Sequence, residues 1–396
     1  MKHAITNISN NTCTGCGACV SACPNQCITL EYDREGFTVA RVRETDCVDC
    51  GKCVSVCHVR SPLPRKEYRT RRYAAVNKNR EIALKSSTSG IFWVLAKWIV
   101  EKRHGVVYGA ILDDDLIVRH ARGETLQECK PFRRSKYLQS NTQRIFPLVR
   151  EDLENNRTVL FSGVPCQIAA LYKYLGKTYE NLYTVDLLCH GAPSQGLYNA
   201  YRKWLENKHG SDVTNINWRD KREMWMPSHM SYQFREGGEL YEENEDNLFQ
   251  KGYVRNIYLR YYCYHCAYAR VPRVGDITLG DDVRYQGELI EERRYGISVV
   301  AVSSRKGEEL FQAAARECKY HEVPLDANEI GKVNHLLCPP KWNNKRPLFF
   351  NDYFRGTPFD ILDKRYIHQS SLTKWIVRFR QILVLVGVKA RKLLVL

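Results

Sequence analysis

Residues 13–24 read CTGCGACVSACP and residues 47–58 read CVDCGKCVSVCH. Cys13, Cys16, Cys19 and Cys23 are separated by two, two and three residues, and Cys47, Cys50, Cys53 and Cys57 repeat that spacing 34 residues later. Three thiolates so close together wrap one tight loop around an iron–sulfur cubane. The fourth sits where a helix leads away, and in two-cluster ferredoxins it serves the other cluster. The spacing therefore assigns Cys13, Cys16, Cys19 and Cys57 to one [4Fe-4S] centre. Cys47, Cys50, Cys53 and Cys23 take the second. Zinc sites built from CxxC pairs are the alternative, and three cysteines at successive two-residue spacings, twice over, argue against it. Pro24 follows Cys23 as the pattern expects, whereas His58 stands where the second proline belongs. Cys27 is left over and reads as a buried small side chain.

Working outward, nine of the sixteen cysteines lie in the first 57 residues. The start, MKHAITNISNN, has no apolar signal core, so a cytoplasmic, reducing setting is expected, where clustered cysteines are metal ligands rather than disulfides. The 396 residues are 44% hydrophobic, enough for a large core and against wholesale disorder. No run of about 18 apolar residues marks a spanning helix. The net charge is +16. Part of it lies in residues 60–73, RSPLPRKEYRTRRY, where two prolines and six basic residues against one Glu read as a connector. That stretch offers a docking face for an acidic partner such as a small ferredoxin, and is more simply a solvated linker. Nucleic-acid binding is not expected, since no helix-turn-helix, zinc-finger or RNP pattern accompanies the charge. The expected organisation is a two-[4Fe-4S] ferredoxin-like α+β domain over 1–60 and a basic linker over 61–81. A main α/β domain with a mixed, partly parallel sheet covers 82–355, and a basic tail covers 356–396.

From about Ile82 apolar runs alternate in helix and strand lengths. Ile91–Val100 reads as a buried helix behind the hydroxyl-rich Ser86-Ser87-Thr88-Ser89-Gly90. Val106–Ile111, Val159–Phe161, Leu182–Leu188 and Asp276–Gly280 read as strands, and Gln167–Leu175 as a helix. Two strands lead into cysteines, Cys166 and Cys189; if parallel, they bring both to the sheet edge where open α/β folds place ligands. Cys263 and Cys266 supply a further CxxC pair, and on spacing alone these four could make a third cluster, a zinc site, or nothing. No GxGxxG follows a strand, and there is no P-loop, HExxH or GxSxG. Ser86–Gly90, at a helix start, is the one loop suited to a phosphate; an ordinary serine-rich cap would read the same.

Seven phrases taken together resemble one family: STSGIF, VVYGA, RSKYLQS, FSGVPCQIAAL, TVDLLCHGAPS, RYYCYHC and DITLGDD. They are similar to the beta subunits of coenzyme F420 hydrogenases and dehydrogenases, over about residues 1–345, including the ferredoxin domain many members carry. Bacterial members of this family also occur beside polysaccharide biosynthesis genes. The resemblance implies FAD and a third [4Fe-4S] cluster on Cys166, Cys189, Cys263 and Cys266. It also implies flavin contacts at Ser87, Thr88, Ser89, Gly90, Ser135, Lys136, Tyr137, Gln139, Ser140, Gly163, Pro165 and Asp281. Two departures stand out. Ser89 occupies the first glycine of the family loop, and Gly280-Asp281-Asp282-Val283-Arg284 replaces Gly-Asp-Phe-Trp-Gly, removing an aromatic pair, so the substrate does not carry over.

Flavin with clusters means single electrons on one side and paired electrons on the other. The expectation is an iron–sulfur flavoprotein oxidoreductase fed by ferredoxin or another electron donor. Its substrate would be organic, in a polysaccharide setting a sugar or lipid-linked intermediate. F420-dependent oxidoreduction and a non-catalytic electron-transfer subunit are the alternatives. His190 is the candidate proton donor, and Lys136 stands near the flavin's negative charge or its phosphates. Trp375–Leu396 intersperses Arg378, Arg380, Lys389, Arg391 and Lys392 among apolar residues. It suits a helix lying on the inner face of the membrane, or equally one packed on the protein.

Overall fold

The computed structural model describes residue 5 and residues 11–325, 338–368 and 379. In the N-terminal domain each cysteine loop turns into a short helix, Ala18–Ala22 and Lys52–Ser55. Gly17 and Gly51 precede these helices, both at φ 74°, a backbone shape that a side chain resists. The repeat in sequence is thus a repeat in backbone. Between the two loops β1 (Ile28–Tyr32) and β2 (Thr38–Val42) form an antiparallel hairpin.

The main sheet has eight strands. In chain order these are β3 (Arg71–Asn77), β4 (Val106–Leu112), β5 (Val118–Gly123), β6 (Val159–Gly163) and β7 (Leu182–Leu187). After β8 (Val213–Asp220), β9 (His229–Phe234) and β10 (Glu239–Glu243), which form a separate antiparallel sheet, come β11 (Ile277–Asp281), β12 (Ser298–Val302) and β13 (Cys318–Glu322). The large sheet runs β13-β3-β12-β11-β7-β6-β4-β5. Its centre, β11-β7-β6-β4, is parallel, and the flanking pairs are antiparallel. The fold is therefore mixed α/β with a partly parallel sheet. The four central strands are the ones legible as apolar runs, because a strand covered on both faces needs apolar residues throughout.

Alternate residues of β4 and β6 feed opposite cores. Val107 and Leu160 join the helices at 91–103 and 305–314, whereas Tyr108, Val159 and Phe161 join those at 145–154 and 165–175. Cys16 and Ala18 of the N-terminal domain enter the second of these cores. That domain therefore docks onto the helices at 145–154 and 165–175 by burying part of its own cluster loop.

Two boundaries differ from the sequence expectation. Arg71–Asn77, inside the expected 61–81 linker, is an interior strand of the large sheet. Arg72 looks like surface charge in sequence but is buried in an ion pair with Asp282. Residues 359–367, inside the expected tail, place Phe359, Leu362 and Ile367 in a third core with the small sheet. Apart from Phe379, the basic segment Trp375–Leu396 lies outside the described residues. Among the described residues no helix is long and apolar enough to cross a membrane.

Backbone meets backbone where the β1–β2 turn touches the helix Gln195–His209. Gly196 donates its N–H to the Gly36 carbonyl at 3.1 Å, and a Cβ at Gly196 would lie 2.6 Å from Gly36 Cα. Helix propensity alone favours alanine over glycine by up to about 1 kcal/mol, whereas forcing the two backbones apart costs about 1–3 kcal/mol. Gly196→Ala should therefore lower the thermal midpoint and speed proteolysis between the N-terminal and main domains. A raised midpoint would mean the contact is not tight.

Candidate functional site

Three cavities are walled by cysteines. The outermost takes Cys23, Cys27, Cys47, Cys50 and Cys53. The next takes Cys13, Cys16, Cys19 and Cys57. These divide the eight repeat cysteines as the spacing assigns them, with each loop's fourth cysteine crossing to the other cavity. The third is lined by Cys166, Cys189, Cys263 and Cys266, residues drawn from the ends of β6 and β7 and from the turn at 261–265.

Parallel strands explain the third set. β6 and β7 run side by side in register, Gly163 opposite Asp186, so Cys166 and Cys189 leave the sheet at the same edge. Pro165 and Cys166 open the helix Pro165–Leu175, and Gln167 completes its start by accepting the Val164 N–H at 3.1 Å. The same amide donates to the Ser140 carbonyl at 2.8 Å, and Ser140 Oγ meets His120 Nδ1 at 2.8 Å. His120 Nε2 reaches the Ser162 carbonyl at 2.7 Å, and the ring stacks on Phe161. As Nε2 then carries the proton, Nδ1 accepts from Ser140. Burial lowers the His120 pKa to about 4, so this ring is a fixed neutral brace.

Charge is also supplied. Arg260 and Arg273, both buried, line the four-cysteine cavity. Arg273 pairs with the fully buried Asp186 and donates to the carbonyls of Tyr268 and Leu187 at 2.6 and 2.8 Å. Burial pushes the Cys16 and Cys189 thiols up to about 12, with Arg273 opposing the rise at Cys189. Such thiols do not ionise unaided; a bound metal centre makes them thiolates. Buried cations beside four half-buried cysteines fit an anionic, thiolate-held cluster.

The third cavity touches both neighbours. Thr14 of the N-terminal domain lines one side, and Cys189, His190, Gly191 and Ala192 line it and also the large cleft beyond. The cleft offers a cavity of about 540 Å³, within the range of about 300–1,000 Å³ for a pocket holding one small ligand. It lies at the C-terminal ends of β4, β6, β7 and β11, where open α/β sheets place ligands.

Most residues named from the resemblance meet there: Ser87, Thr88, Gly90, Ser135, Lys136, Tyr137, Gln139, Ser140, Gly163 and Asp281 line the cleft, as does the candidate proton donor His190. Two do not. Ser89 is fully buried, its hydroxyl donating to the Ala75 carbonyl at 2.8 Å and meeting Ser298 Oγ at 2.6 Å, so it stitches its loop to the sheet. Pro165 faces the four-cysteine cavity. The Ser135 N–H donates to Ser87 Oγ at 2.6 Å, joining two of the predicted loops. No side chain caps the helix that begins at Ile91, leaving its first N–H groups for another acceptor. Thr88 Oγ1 donates to Asp281, which also accepts from Arg219 at 2.8 Å, and Arg219 reaches Tyr137 OH at 3.2 Å. Buried Lys221 donates to the Thr88 and Tyr295 carbonyls, the latter at 2.8 Å. His120, Arg219, Lys221, Arg260 and Arg273 went unread in the sequence. All but Arg260, which opens the RYYCYHC phrase, stand outside the quoted motifs, and their distant partners give them their roles.

Residues 156–328 match the family described as the C-terminal part of the coenzyme F420 hydrogenase/dehydrogenase beta chain. Residues 12–61 match the 4Fe-4S dicluster domain. The chain thus carries an iron–sulfur domain ahead of a domain of that beta-subunit family, as the motifs indicated, and is related to electron-transfer oxidoreductases. A similar solved structure is described as a xenon derivative of the F420-reducing [NiFe] hydrogenase complex from Methanosarcina barkeri. It is 18% identical over 67% of this chain and 86% of that one, with a TM-score of 0.44. None of the curated proteins matches this chain.

Lys136 donates to the Ala110 carbonyl at 2.7 Å and to that of Pro131, and burial lowers its pKa to about 7. Between that value and about 10.4 the unfolded chain holds the extra proton, so this residue makes stability rise with pH. The thermal midpoint of the native protein relative to Lys136→Met should climb between about pH 7 and about pH 9 and stay level below about pH 6. A flat difference across the alkaline range would show that Lys136 keeps its charge.

Proposed function

We propose that the chain is an iron–sulfur flavoprotein oxidoreductase that takes electrons at its N-terminal domain and uses them on an organic substrate in the cleft. The observation that carries this reading is the position of the four-cysteine cavity. It shares Thr14 with the ferredoxin-like domain and Cys189–Ala192 with the cleft. In this reading Cys23, Cys47, Cys50 and Cys53 hold the outer [4Fe-4S] cluster. Cys13, Cys16, Cys19 and Cys57 hold the inner one, and Cys166, Cys189, Cys263 and Cys266 a third. FAD occupies the cleft. When bound, the clusters supply electrons one at a time and the flavin exchanges them singly or in pairs.

The chain's own residues bind, orient and supply protons. The uncapped helix start at Ile91, with Ser87 and Thr88 before it, suits a phosphate. Arg133 lines the same cleft and adds positive charge, and Lys136 lines it as a donor. Arg219 holds Asp281 and Tyr137 in one hydrogen-bonded unit, which fixes the side of the cleft formed by the end of β11. His190 stands between the cysteines and the cleft, its ring edge-on to Tyr253 at 5.0 Å between centroids. It is our candidate proton donor to the substrate. A sugar or lipid-linked intermediate of polysaccharide biosynthesis is the substrate class we propose. The polar residues Ser228, Asn244 and Gln250 of the cleft lining support a hydroxyl-rich ligand.

The family's description as a beta subunit favours a second reading, in which the chain relays electrons to partner subunits, or to F420, within a larger complex. Replacing one cysteine of the third set separates the readings. Cys263→Ser should lower iron by about four per chain and stop the bound flavin from being reduced by electrons entering at the ferredoxin-like domain. Reduction by a chemical hydride donor added at the cleft should persist. Unchanged iron would remove the third cluster from the proposal. Substrate turnover only in a co-purifying complex would favour the relay.

A further inference from the structure

Cys27 has no partner in the repeat. The offset of 34 residues that pairs the eight other N-terminal cysteines carries position 27 onto Ser61. Ser61 is absent from the lining of the inner cavity, and its hydroxyl accepts from Lys173 of the main domain at 2.8 Å. Cys27 is different. It is buried, it lines the outer cavity with Cys23, Cys47, Cys50 and Cys53, and its Sγ lies 3.4 Å from Cys23 Sγ. Its backbone is fixed as well, since the Cys27 carbonyl accepts the Arg43 N–H at 2.8 Å at the base of the hairpin. A cubane takes four thiolates, so the outer cavity holds one sulfur more than its cluster needs.

We infer that Cys27 is a reserve ligand of the outer cluster, placed to take over from Cys23. The exchange balances without an oxidant or reductant. An iron–sulfur bond to Cys27 forms as that to Cys23 breaks, and the proton leaving Cys27 is taken up by Cys23. The two sulfurs are already in hydrogen-bond contact, so the proton has a direct path and the backbone need not move far. The asymmetry between the two halves of the repeat gives the arrangement its sense. The outer cavity has the more exposed rim, with Cys50 exposed and Val48 64% exposed beside it. Of the inner set, Cys16 and Cys19 are buried, Cys13 and Cys57 are half-buried, and Cys16 packs into a core of the main domain. The more exposed cluster is the one more easily stripped of a ligand, and there the spare thiol stands.

The inference rests on the dicluster reading of residues 12–61, and iron and acid-labile sulfide per chain separate the two. Full-length protein and three variants are reconstituted anaerobically with iron and sulfide. Cys23→Ala should keep the iron of the native chain, whereas Cys23→Ala combined with Cys27→Ala should hold about four fewer. Cys57→Ala, whose repeat neighbour is Ser61, should lose about four by itself. Low-temperature EPR of the reduced proteins should show the outer cluster's signal altered in Cys23→Ala and absent from the double variant. If Cys23→Ala alone is as depleted as the double variant, the reserve role is wrong. If the native chain takes up no iron at these cysteines, the dicluster reading itself fails. Should the double variant not fold, Cys23→Ala alone still decides, since retained iron supports the inference and depleted iron overturns it.

Discussion

Docking of the N-terminal domain onto the sheet-covering helices is the constraint on which the rest depends, and it is made mainly of directional hydrogen bonds. Thr142 donates to the Cys16 carbonyl at 2.7 Å, Gln139 to the Thr14 carbonyl at 2.8 Å, and Arg260 to the Cys13 carbonyl at 3.2 Å. His58 bridges the domains, its ring nitrogens meeting Thr14 Oγ1 at 3.0 Å and Tyr268 OH at 2.7 Å. Buried polar groups must be paired, so these contacts permit one orientation and penalise others. Apolar burial of Ala18 and Cys16 supplies attraction without direction. The result is that the inner cysteine cavity faces the four-cysteine cavity across Thr14. His58 replaces the expected proline at that seam. A proline could not make the Tyr268 contact, so the departure from the ferredoxin pattern has a physical use.

The cysteine repeat was legible because its chemistry is local. Three thiolates on one loop need only a few residues and two glycines at positive φ. The central strands were legible because both their faces are buried. The same reasoning missed β3, whose Arg71 and Arg72 suggested a linker; Arg72 is tolerated only because Asp282, 210 residues away, neutralises it. The small sheet of β8, β9 and β10 was also missed. Its strands alternate polar and apolar residues around bulges, and the register shifts near Asn215 and Asn217 blur the period-two pattern. Ser89 shows the limit of carrying residues over by motif: it stands in the family loop in place of a glycine, and its hydroxyl bonds to the sheet rather than facing the cleft.

Charge is organised in the same direction as the cavities. Arg260 and Arg273 stand beside the four cysteines, and Arg219, Arg133 and Lys136 line the cleft. Each buried cation is held by carbonyls, or by one carboxylate as Arg273 is by Asp186. A buried charge so arranged is costly unless a further anion joins it. The proposed thiolate-held clusters and phosphate-bearing flavin are anions of that kind.

The central claim is that three cluster sites lead to one flavin site, and cofactor stoichiometry tests it most directly. Iron, acid-labile sulfide and flavin should be measured per chain on anaerobically purified, full-length protein. About twelve irons, with matching sulfide, and about one FAD are expected. About eight irons with a flavin would contradict the claim, because the four cysteines at the edge of the sheet would then hold no cluster.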